Sequence, residues 1–94
     1  MRAYTVNYDL KRPGQNYEEL FEALKSYGTH WHPQGSLWII ASSKSAAEIR
    51  DHLRQYIDAN DSLLVSRMGE SAWYGMGENG SAWLKQLLQT KQTA

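Results

Sequence analysis

The chain has no cysteine, only two prolines, a single phenylalanine and no net charge, ten Lys and Arg being balanced by ten Asp and Glu. Without cysteine there are no disulfides, no thiolate nucleophile and no cysteine-bearing zinc pattern, which suits a cytoplasmic protein. No apolar run approaches the length of a membrane span, and no uninterrupted apolar core follows Arg2. Neither a membrane association nor a secretory leader is therefore expected. Zero net charge also bears on nucleic acid, because neutralising phosphates supplies most non-specific affinity. Tight binding of a long duplex by this chain alone is disfavoured. A short oligonucleotide or a nucleotide is not.

What is present points to a folded domain. Hydrophobic residues make up 41% of 94 positions and include four Trp, enough to collapse rather than stay disordered. One domain over residues 1–94 is expected, small enough that homodimerisation would add needed burial. Tyr4, Val6 and Tyr8 alternate with Thr5, Asn7 and Asp9, the period of a half-buried strand. Residues 16–27 predict a helix, capped by Asn16, with Glu18 and Glu19 in its first turn and Gly28 at its stop. Thr29–Pro33 and Ser36–Ser42 predict a hairpin around Gln34-Gly35, its first strand ended by Pro33. The Ser45/Glu48 spacing is that of a capping box, opening a second helix through Ile57. Asp58–Asp61 closes that helix, and Ser62–Met68 predicts a fourth strand.

The order strand, helix, strand, strand, helix, strand predicts an α+β protein. It is the ferredoxin-like βαββαβ arrangement, an antiparallel sheet with both helices on one face. This core spans 1–68. The remainder, 69–90, is a loop punctuated by Gly69, Gly75, Gly77 and Gly80 that carries Trp73 and Tyr74, followed by a short helix from Ser81 to Gln89.

Asp9 is the leading candidate for chemistry. It ends the first strand beside Lys11-Arg12-Pro13-Gly14, and a carboxylate next to a basic loop can hold a metal ion beside a phosphate. Its parity with Asn7 places both on the sheet face away from the helices, where a partner subunit would lie and Asn7 would add a ligand oxygen. Two symmetry-related Asp9 carboxylates could share a magnesium ion there. An Asp capping a turn in a structural contact is the other reading. No second acid is placed to complete a one-chain site.

The other candidates would bind ligand. His30 and His32, two apart on a strand, share a face, and such a pair could bind zinc or serve as acid and base in phosphodiester cleavage, but zinc would need a third ligand. Arg12 and Arg67 suit bidentate phosphate contacts, and Lys11 adds charge. Trp31 and Trp38 lie on adjacent hairpin strands, where aromatic pairs stabilise sheets. Trp73 and Tyr74 either pack on the sheet or stack on a base.

Four short stretches carry a family resemblance: Tyr8-Asp9-Leu10, Pro13-Gly14-Gln15-Asn16-Tyr17, Gly28-Thr29-His30-Trp31-His32 and Ser36-Leu37-Trp38-Ile39. Together they make residues 4 to 70 similar to the small CRISPR-associated Cas-two family, and more so to its stand-alone SinR-like relatives. The resemblance implies a ferredoxin-like homodimer with Asp9 of each chain near the two-fold axis and a magnesium-dependent nuclease role for that residue. The acidic first helix, with Glu18, Glu19 and Glu22, departs from the family's more basic one, so partnership with the spacer integrase is not expected. Two functions stand side by side. One is a metal-dependent ribonuclease or phosphodiesterase at the dimer cleft. The other is a non-catalytic module that holds a small nucleotide, a signalling dinucleotide or a protein partner in a pocket lined by Trp38, His30, His32 and Arg.

Overall fold

The computed structural model describes residues 1–11, 17–28 and 30–89. Arg12, the Pro-Gly loop and the Asn16 cap lie outside the described residues. The elements run β1 (Arg2–Asp9), α1 (Glu18–Lys25), β2 (His30–Gln34), β3 (Leu37–Ser42), α2 (Ala46–Leu53), a 3-10 turn (Arg54–Tyr56), β4 (Ser62–Arg67) and α3 (Glu78–Gln89). The sheet is antiparallel throughout, ordered β2-β3-β1-β4. β1 is thus flanked by β3 and β4, and β3 separates it from β2.

Strand alternation decides which side chains meet the helices. Tyr4, Val6 and Tyr8 of β1, with Trp38 and Ile40 of β3, pack under Leu20, Ala23 and Leu24 of α1 and Ile49 and Leu53 of α2. Both of these helices therefore cover one face of the sheet. Each fully buried Leu, Ile or Val here contributes roughly 1.5–3 kcal/mol relative to exposure. The Ser45 capping box forms as expected: Glu48 N donates to Ser45 Oγ at 3.1 Å and Ser45 N donates to Glu48 Oε1 at 3.0 Å.

The second face is covered in part by the chain's own C-terminal segment. Ala3, Ile39 and Leu84 form a separate apolar cluster, joined by Trp31, Met68, Trp73, Trp83, Leu87 and Leu88. This face was expected to be open. Apolar residues of α3 at helical spacing give it a stripe that must be buried, and the Ala3 end of the sheet accepts it. The contact is closest at Gly80, where an added Cβ would sit inside the Trp31 indole.

Four local expectations change. α2 ends at Leu53 and the 3-10 turn finishes the segment that was expected to remain helical to Ile57. α3 begins three residues earlier than expected, at Glu78. Pro33 does not stop β2. It sits inside this edge strand, where a register shift between Trp31 and Gln34 accommodates its missing N–H. Trp31 and Trp38 are not a cross-strand pair either: Trp31 lies opposite Ile39, and the two indoles join clusters on opposite faces.

Candidate functional site

Asp9 closes β1 opposite Ser62, and two residues back Asn7 lies opposite Leu64. These four side chains lie on the α3-side face, beyond the Ala3 end where the C-terminal cluster sits. They share a shallow depression of about 230 Å³ with Tyr8 and Leu63. Leu64 is 58% exposed at its rim, an apolar side chain next to a carboxylate and an amide.

Lys11 ties this end of the strand together. Its Nζ forms an ion pair with Asp9 Oδ2 at 2.5 Å, the two side chains being 50% and 64% exposed. A pair this exposed contributes about 0–1 kcal/mol, so an incoming ion or phosphate displaces it at little cost. The Lys11 backbone N–H meanwhile donates to Asp61 Oδ1 at 2.8 Å. Tyr17 Oη donates to the same oxygen at 3.2 Å, and Asp58 N donates to Oδ2 at 2.8 Å. Asp61 thereby pins the exit of β1, the entry of α1 and its own turn to one carboxylate. Sequence reasoning placed Asp61 only in a closing turn. Its place in the Asp58-Ala59-Asn60-Asp61 turn was the available signal; the contacts across the chain had none.

The remaining candidates fall into separate places. Arg67 lies opposite Tyr4, five residues along the strand from the Asp9 position, about 17 Å away. His30 and His32 share the α1/α2 face, against Trp38, on the side of the sheet opposite to that of Asp9. His32 stacks on Trp38 with centroids 4.2 Å apart and an interplanar angle of 15°. Phe21 stacks on Trp38 at 6.1 Å and 18°. Trp38 is only 3% exposed, and its Nε1 donates to Tyr8 Oη at 3.1 Å. Tyr8 Oη in turn donates to the Gly35 carbonyl at 3.0 Å, which also accepts from His32 Nε2 at 3.3 Å. His30 Nδ1 donates to the Gly28 carbonyl at 2.8 Å. Burial pushes the Tyr8 phenol above its ordinary pKa, with the Trp38 hydrogen bond working against that rise. The histidines and Trp38 make one hydrogen-bonded aromatic stack at the hairpin.

Trp73 and Tyr74 part company. Trp73 packs into the second-face cluster and its Nε1 donates to Ser81 Oγ at 2.8 Å, whereas Tyr74 is 99% exposed. A larger groove, about 580 Å³, lies between α1 and α2 and is walled by Glu18, Glu19 and Glu22 with His52 and Tyr56. Its carboxylates repel phosphate, so the smaller depression at Asp9 suits that chemistry better. Among the described residues, no three acidic or histidine side chains gather in a way that could hold a metal ion. No helix among them is long and apolar enough to cross a membrane.

Fold and site together define a small α+β protein with one acid at the end of its central strand. No protein-family model matches the chain. Among solved structures it is similar to a crystal structure of a hypothetical protein from Thermus thermophilus, at 27% identity and a TM-score of 0.61. The similarity covers 82% of this chain and 94% of that one, and it carries the fold without an activity.

Proposed function

We propose that this chain is a ferredoxin-like, Cas-two-like protein of the stand-alone SinR-like kind, acting in the cytoplasm as a homodimer on short nucleic acid or nucleotides. The observation that carries the reading is Asp9, exposed at the end of β1 beside exposed Leu64 on the part of the sheet face that α3 leaves clear. Two such strips brought together across a two-fold axis bury both Leu64 side chains and bring two Asp9 carboxylates into one cleft. Magnesium is held by one or two carboxylates, keeps several waters and takes substrate phosphates. One chain offers one acid and the Asn7 amide, so the residues fit magnesium as a two-subunit site. Bound there, the ion would supply charge neutralisation at a phosphodiester. Asp9 would hold it, and Lys11, released from its ion pair with Asp9, would take a phosphate oxygen. The reading is tested with short RNA and with dinucleotides, with and without magnesium, comparing the parent with Asp9→Asn. Loss of turnover at least 100-fold in the variant is expected, on the order of removing one essential electrostatic group. Equal turnover by both proteins sinks the reading.

A second function draws on the Asp9–Lys11 ion pair itself. An acid already neutralised by a neighbour suits a module that binds a nucleotide without breaking it. Product analysis separates the two: a bound dinucleotide recovered intact from the magnesium-loaded protein selects the binding module.

A further inference from the structure

Between the second sheet face and the loop that leads into α3 lies a pocket of about 430 Å³, within the size range of small-molecule sites. Thr5, Leu37 and Ile39 come to it from the sheet, Trp73 and Met76 from the loop, and Leu84 from α3. Several of these groups are already fixed by other contacts. Ile39 and Leu84 are fully buried, Trp73 is anchored to α3 through Ser81, and Thr5 Oγ1 donates to the Ser66 carbonyl at 3.4 Å. Gly75 and Gly77 hold positive φ values of 74° and 85°, turns that only glycine takes without strain. Met76 lies between them and is returned to the pocket. Glu70 and Ser71 add an acceptor and a hydroxyl to the lining.

We propose that this pocket receives a nucleobase whose sugar-phosphate then runs along β1 to Lys11 and Asp9; the inference rests on the nucleotide reading given above. Thr5, Asn7 and Asp9 lie on one face of one strand, and Thr5 and Asp9 are separated by about 13 Å. That span exceeds a nucleoside monophosphate and matches a dinucleotide or the end of a short strand. A flat ring gains an indole and a thioether as neighbours, and the N–H groups of its polar edge can donate to the Glu70 carboxylate and to Ser71 Oγ, whose own proton goes to the Gly69 carbonyl at 3.0 Å. An aliphatic chain would have to lie beside the Glu70 carboxylate with nothing to offer it. The Asn7 amide stands midway along the track.

The test is an amide and indole NMR titration of the full chain in chelator, using adenosine, the 5′-phosphorylated dinucleotide pApA and inorganic phosphate as probes. Adenosine is expected to move the Thr5 and Leu37 amides and the Trp73 indole, while inorganic phosphate moves Lys11 alone and the dinucleotide moves both sets. Ala72 is exposed and lines the pocket, so Ala72→Phe fills it from the loop without touching the sheet. That variant is expected to weaken adenosine at least about tenfold, the scale of one stacked base, and to leave the phosphate response in place. The inference is overturned if adenosine leaves Thr5, Leu37 and Trp73 unmoved, if cyclohexanol moves them equally, or if Ala72→Phe binds adenosine undiminished. Adenosine carries no phosphate, so its result stands apart from Asp9-dependent cleavage and each reading can fail alone.

Discussion

Replacing Asp61 by alanine removes one carboxylate and three hydrogen bonds at once: from Lys11 N, from Asp58 N and from Tyr17 Oη. Each such bond contributes about 0.5–1.5 kcal/mol net, and the donors are near enough to solvent to recover part of it from water. The expected loss is therefore about 2–3 kcal/mol, a large share of the 5–15 kcal/mol of an ordinary domain. At about 4–8 °C per kcal/mol for a chain of this size, the midpoint of thermal unfolding falls by about 10–20 °C. Asp61→Asn keeps one oxygen acceptor and is expected to lose about half as much. Urea unfolding followed by circular dichroism and tryptophan emission measures both. The loss should come with an unchanged m-value, because the same surface is exposed on unfolding. An Asp61→Ala protein within about 0.5 kcal/mol of the parent, the range of a featureless surface change, refutes the pinning role. The consequence for the site is direct, since Lys11 is held beside Asp9 by the bond that Asp61 accepts.

Three further substitutions probe the starts of α3 and α2. Gly80→Ala gains about 1 kcal/mol of helix propensity but drives a methyl into the Trp31 indole, an overpacking that costs about 1–3 kcal/mol. Net destabilisation is expected in urea unfolding, and it should vanish when the same change is made in a Trp31→Ala background, the coupling that a double-mutant cycle reads. At the start of α2, Ser45→Ala should cost about 1 kcal/mol as a lost N-cap. Glu48 is held below its ordinary pKa by the hydrogen bonds of Ser45. Its contribution is present above the unfolded-state pKa and is lost as pH falls through the folded-state value. Glu48→Gln should therefore flatten the acid limb of stability against pH, and an unchanged limb counts against the capping box as its source.

The parts of this fold that could be read from the sequence are those set by short-range physics. The alternation of Tyr4, Val6 and Tyr8 gave the correct inward face, and the Ser45/Glu48 spacing gave the correct cap, because both depend on neighbours within one turn or pleat. The errors have longer-range causes. Trp31 and Trp38 sit in one hairpin, but the shift beside Pro33 and the docking of α3 give them different faces. Nothing within a few residues of Gly80 announces Trp31 as its neighbour. At the candidate site, Asp9 and Asn7 followed from parity alone. Asp61 acts through contacts with Lys11 and Tyr17, segments that the sequence keeps far from it. Arg67 was grouped with Asp9 by charge, although the register puts it at the other end of β1.

The two edges of the sheet are unequal. β2 is short, carries Pro33 and breaks register, all of which discourage a further strand from adding beside it. β4 is six residues long without proline, and no other strand lies on its outer side among the described residues. The sheet consequently has one edge better suited to growth: a further strand, from a peptide or another molecule of the same chain, would find its ladder outside β4. Seen this way, Asn7 and Asp9 sit one strand in from a seam. Crowding, truncation or partial unfolding that frees a complementary strand would act first at that seam.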